Sequence, residues 1–215
     1  MKPWPLNFLL ILFLCLFSGD SSGAVPGSYG ANPVNLYSFL LNLIKRIPFR
    51  PDLAMTGTTF ARTILALEGP EREKAILAQF SEGVFPDYLR KLKPVHLSHR
   101  FKDRTTVTAT IFVMPDYLSI GSDQDFLLIP VNLYTALEIA GQLGFILPTK
   151  KMVDQIFQQS NFRLNPQPLP AGSRMRSTAY YLKQNQMIRE QRTALGCPLD
   201  TLVSGHKKDV VLTNH

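Results

Sequence analysis

The sequence predicts an α+β fold: a single compact domain with N-terminal helices, a small antiparallel sheet around residues 94–129, and helices after it. Three observations carry this expectation. Apolar residues recur at helical 3/4 spacing up to Phe80, β-branched and aromatic residues take over between Pro94 and Ile129, and helical spacing returns at Leu133. The chain has 215 residues and is 45% hydrophobic, the content of one globular domain with a real core.

The first helix is expected over residues 34–47, where Leu36, Phe39, Leu40, Leu43 and Ile44 share a face; Pro48 and Pro51 end it. A second follows over 56–67 with Phe60, Ile64 and Leu67. Pro70 suits the first turn of a third, Glu71 and Glu73 favour its N-terminal end, and Ile76, Leu77 and Phe80 form its inner face up to Gly83. A short helix at 86–91 leads into strands at 94–101, 105–114, 117–120 and 126–129. Lys102-Asp103-Arg104 and Pro115-Asp116 are the turns between the first three. Leu133, Leu137, Ala140 and Leu143 mark the next helix, closed by Gly144. Thr149 is placed to cap a helix over 150–159 whose apolar residues are Met152, Val153, Ile156 and Phe157. Pro166, Pro168, Pro170 and Gly172 make 165–173 an extended connection, and 177–194 reads as one amphipathic helix carrying Tyr181, Met187 and Ile188.

Residues 1–24 have the composition of a secretory signal peptide. Lys2 is followed by a run from Leu6 to Phe17 that is apolar apart from Asn7, then by Gly19, Ser21, Ser22, Gly23 and Ala24. The run is too short to span the roughly 30 Å of a bilayer as a helix, so cleavage after Ala24 is expected, with Ser22 three positions before the bond. A retained anchor is the alternative, because Pro3 and Pro5 are unusual in such a leader. A lipoprotein is disfavoured by the bulky Phe13-Leu14 before Cys15. Residues 25–35, rich in Gly, Pro and Ser, read as a flexible leader to the domain at 36–215. Cleavage leaves 191 residues (215 − 24) and one cysteine, Cys197, so packing rather than a disulfide must stabilise the chain.

The formal charge is +7. Between residues 144 and 192, Lys150, Lys151, Arg163, Arg174, Arg176, Lys183, Arg189 and Arg192 face only Asp154 and Glu190. Behind a secretion signal, nucleic acid is excluded as the natural partner. Anionic cell-envelope polymers, peptidoglycan or phospholipid head groups take its place; a solvated helix face is the alternative.

The segment from Ser204 to Asp209 concentrates an imidazole, two ammonium groups and a carboxylate. His206 and Asp209 are therefore the candidate catalytic pair, a general base with its carboxylate, provided that residues 205–208 form a turn. A charged loop entering a strand is the competing reading. Cys197 with His206 and Asp209 has the residue types of a cysteine nucleophile and its base. Gly196-Cys197-Pro198 nonetheless reads better as a turn holding a buried thiol. His96 and His99 sit on a predicted strand, which sends them to opposite sides. Asp116, Asp123 and Asp125 lack the spacing of an EF-hand. With no HExxH, CxxC, GxSxG or Walker pattern, neither a metal nor another cofactor is expected.

Three segments, Val113-Met-Pro-Asp-Tyr-Leu-Ser-Ile-Gly-Ser-Asp123, Leu147-Pro-Thr-Lys-Lys-Met-Val-Asp154 and Ser204-Gly-His-Lys-Lys-Asp-Val-Val211, together resemble a group of exported bacterial proteins. The resemblance brings no established activity, so no functional residue is carried over. It implies a chain that continues beyond the His206 segment with further strands and another histidine-bearing stretch. The end at His215 is then expected to be a truncation, and a site centred on His206 incomplete; an isolated final strand is the alternative. Three functional readings result: an exported envelope protein of open activity, a cell-envelope hydrolase built on His206 and Asp209, and a non-catalytic module for anionic envelope polymers. The secreted or periplasmic location is common to all.

Overall fold

The α+β expectation holds in the computed structural model, which describes residues 16–20, 45 and 47–206. Helix α1 (Gly57–Thr63) starts where two side chains satisfy its free N–H groups. The Thr56 hydroxyl accepts from Thr59 N, and the Asp125 carboxylate accepts from Thr58 N at 3.1 Å. Its expected extension to residue 67 does not form. The Ile64 carbonyl instead accepts the buried Thr178 hydroxyl at 3.0 Å, which ties this end to a distant helix. Helix α2 (Gly69–Ser81) carries its proline in the first turn and buries Ile76 and Phe80, with Leu77 at the margin. The short helix expected at 86–91 is a 3-10 turn, Asp87–Arg90.

The β region divides into two antiparallel units rather than one sheet. β1 (Leu16–Asp20), β3 (Thr106–Val113) and β2 (Lys93–Arg100) form a sheet in the order β1-β3-β2, with Phe17 opposite Ile111 and His96 opposite Thr110. β4 (Ser119–Gly121) and β5 (Phe126–Leu128) form a separate hairpin. The break falls at Pro115, which has no N–H to donate, and at Asp116, whose carboxylate is engaged elsewhere. Every residue of β4 and β5 is buried, since helices lie against both strands. Strand β1 lies inside the expected signal peptide, and the flexible leader expected at 25–35 lies outside the described residues. The helix expected at 34–47 falls almost wholly outside the described residues.

Helices α3 (Leu133–Leu143), α4 (Lys150–Gln159) and α5 (Thr178–Ala194) complete the α layer. Thr149 caps α4 as expected, accepting from Met152 N. In α5 the Asn185 carbonyl oxygen accepts from Leu128 N at 3.0 Å, so a helix side chain satisfies a buried strand donor. A parallel pair, β6 (Phe162–Arg163) with β7 (Val203–Ser204), joins the chain on either side of α5 and has no counterpart in the sequence pattern. One apolar cluster, including Phe60, Ile76, Phe85, Tyr88, Tyr117, Ile139, Ile188 and Val203, joins helices and strands.

Asp125 makes the α1–hairpin junction pH-sensitive. Partial burial acts to raise its pKa, but hydrogen bonds from Thr56 and Thr58 outweigh it, so the carboxyl sits below its ordinary 3.8. A depressed native pKa adds stability that is full above the unfolded value and declines as pH falls towards the native one. The urea midpoint should therefore drop as the pH is taken below about 3.8. Asp125→Asn should flatten that decline, and an unchanged profile would show that the cap contributes nothing.

Candidate functional site: a buried carboxylate between arginine and histidine

Three separate segments converge on Asp116. It follows Pro115 in the loop between β3 and β4. Arg192 projects from the last turn of α5, on the face that also carries Asn185 and Ile188. His206 arrives by way of β7: Val203 N donates to Pro115 O at 2.8 Å, and Leu164 N to Ser204 O at 2.9 Å. The chain then turns at Gly205, whose φ is +94°. A Cβ there would lie 2.6 Å from the Leu164 carbonyl oxygen, so only glycine lets the two backbones approach and delivers His206 to the carboxylate.

The resulting cluster is dry: Asp116 is 0% exposed, His206 3% and Arg192 5%. Arg192 Nη1 donates to Asp116 Oδ2. The other oxygen, Oδ1, accepts from Tyr117 N at 2.8 Å and lies 3.6 Å from His206 Nε2. The Tyr117 ring stands perpendicular to the imidazole with centroids 4.5 Å apart, which fixes the imidazole plane. Arg192 Nη2 also reaches Pro198 O at 3.3 Å. A charge removed this far from water is tolerated only when it is paired, and here one carboxylate faces two cationic-type side chains.

Neighbouring groups are held in their neutral forms. Burial, reinforced by the Asp116 charge, pushes the Tyr88 hydroxyl well above the ordinary phenol range, and it pairs with Ser119 Oγ at 3.1 Å. Burial likewise raises the Cys197 thiol, against the lowering effect of Arg192. A nucleophilic cysteine needs the reverse, so Cys197 behaves as a half-buried thiol beside Thr201 rather than as an attacking group.

Of the two residues singled out from sequence, His206 belongs to this cluster and Asp209 lies outside the described residues. The carboxylate found beside His206 is Asp116, 90 positions earlier. Asp116, Asp123 and Asp125 have separate duties: Asp123 accepts from Tyr88 N at 3.0 Å, and Asp125 caps α1. His96 and His99 are exposed, one beside the Thr110 hydroxyl and the other edge-on to Phe101. Arg192, counted in sequence among the basic surface residues, is instead an internal ion-pair partner. Its position four residues after buried Ile188 was the available signal, as was a lone aspartate within the apolar run from Ile111 to Ile120.

No protein family model, curated protein or solved structure matches the chain.

Proposed function

We propose that the chain is an exported bacterial cell-envelope protein and, within that setting, a hydrolase in which His206 is the general base. Asp116 positions the imidazole and Arg192 keeps the carboxylate charged and fixed. The observation that carries this reading is the Asp116–His206 approach of 3.6 Å inside an apolar surround. A carboxylate so placed orients an imidazole and stabilises the imidazolium formed when it takes a proton from attacking water. The imidazole then returns the proton to the leaving group. Its side chain is 1% exposed, so substrate reaches it only when covering residues move aside.

Export rests on the composition of residues 1–24 and on the resemblance to exported proteins. Cleavage after Ala24 would also remove β1 and leave β3 as a sheet edge.

The test is release of soluble fragments from purified peptidoglycan. Wild-type protein should release them, and His206→Gln should slow release by about 10²–10⁴-fold. Equal release by the variant would exclude His206 as the base. A second reading rests on the exposed cations Lys150, Lys151, Arg163, Arg174, Lys183 and Arg189. It makes the chain a binding module for anionic envelope polymers. That reading requires no turnover, salt-sensitive sedimentation with cell walls, and indifference to His206→Gln.

A further inference from the structure

The β2–β3 hairpin projects from the body of the protein. Residues 98–108 are all exposed, and β1 pairs with β3 only as far as Thr108. Beyond that point, among the described residues, β2 and β3 continue as a two-stranded ribbon whose side chains include ones that a solvated turn does not need. Phe101 is 50% exposed and Val107 51%. His99 lies directly opposite Val107 and its ring meets Phe101 edge-on at 4.6 Å. Residues two apart on a strand share a face, so His99, Phe101 and Val107 form one apolar-aromatic patch. Lys102 and Arg104 stand in the turn beside it, and Arg100 lies on the opposite face of the same ribbon.

The turn keeps those cations outward. Phe101 N donates to Thr105 O at 2.8 Å and Arg104 N to Phe101 O at 3.0 Å, closing a tight loop over Lys102, Asp103 and Arg104. The single acid, Asp103, uses its carboxylate to accept from Thr105 N at 2.9 Å. Arg104 has a φ of +72°, a conformation that favours glycine or asparagine, so the loop carries a cation where local geometry prefers neither charge nor bulk. A soluble polyanion would engage the cations but has no use for Phe101 and Val107. A bilayer interface takes both, apolar side chains at the acyl boundary and cations at the phosphates.

We propose that the hairpin tip, residues 99–107, is a membrane-contact element that seats Phe101 and Val107 in the interface of an anionic phospholipid bilayer. In that pose Arg100, Lys102 and Arg104 meet lipid phosphates.

The experiment is co-sedimentation of the full chain with phosphatidylcholine vesicles, with and without phosphatidylglycerol. Binding is expected only to the anionic vesicles and should weaken as salt is raised. Arg100→Gln/Lys102→Gln should weaken it about 25-fold, roughly fivefold per cation. Phe101→Ser should weaken it about tenfold at unchanged charge. All three positions are exposed, and matching circular dichroism spectra will confirm that the variants fold. Absence of wild-type binding, or wild-type binding by the double variant, would overturn the proposal. So would unchanged binding by Phe101→Ser together with competition by soluble polyphosphate, which would make the tip a reader of charge alone.

Discussion

Asp116→Asn is expected to destabilise the protein by about 3–5 kcal/mol, the cost of leaving a buried arginine without its counter-charge. Arg192 is 6% exposed through its side chain, so water cannot take over the role of the lost carboxylate. For a chain of this length that loss corresponds to a fall in Tm of roughly 6–20 °C. The double replacement Asp116→Leu/Arg192→Met should recover most of it, because two apolar side chains carry no uncompensated charge. Thermal denaturation of the three proteins distinguishes a buried ion pair from a merely adjacent one. A single-variant cost below about 1 kcal/mol would mean that Arg192 finds another partner or reaches solvent.

Gly121→Ala should be comparably damaging, by steric rather than electrostatic means. Gly121 has a φ of +125°, where side chains are rarely accommodated. Its missing Cβ would overlap the Asp125 carbonyl oxygen and stand 2.5 Å from Gly57 N. Gly57 is equally confined, since a Cβ there would be 2.6 Å from the Phe126 backbone. Two glycines thus let α1 lie against the β4–β5 hairpin backbone, with Arg50 Nε donating to Gly121 O at 2.9 Å on the same side. Neither neighbour can yield without breaking the Gly57 N–Asp125 O bond of 2.9 Å, so a cost of about 3 kcal/mol or failure to fold is expected. Gly141 supplies the control. It lies in α3 with open space around its Cβ position, and Gly141→Ala should stabilise by about 0.5–1 kcal/mol. Urea denaturation of the pair reads both signs in one experiment.

The fold class was legible because periodicity reports which faces are buried. The change of period at Pro94 and its reversal at Leu133 correspond to β2 and α3, and Thr149 caps α4 where a hydroxyl was expected to. Division of the strands into two units was not legible, because it depends on Asp116 being drawn to a helix 76 residues away. Pairing of β6 with β7 was equally hidden, since strands of two residues leave no period to detect. At the candidate site, local chemistry singled out His206, but its partners are non-local. In the sequence Asp116 stands out as a turn residue after Pro115 and for its nearness to Asp123 and Asp125, and Arg192 only for its charge. A buried ion pair leaves each partner as an isolated polar residue in an apolar pattern, and the sequence does not say which two belong together.

One buried carboxylate serving both Arg192 and His206 makes a specific demand on a double-mutant cycle over Asp116→Asn and His206→Gln. Urea denaturation in sucrose, which favours the compact state, keeps all four proteins folded at the start of the titration. If the two side chains interact, the double variant should differ from the sum of the single ones by about 0.5–3 kcal/mol, with His206→Gln costing less once Asp116 is gone. Additivity within about 0.3 kcal/mol would leave His206 with no energetic link to the carboxylate that faces it, and Asp116 would then serve Arg192 alone.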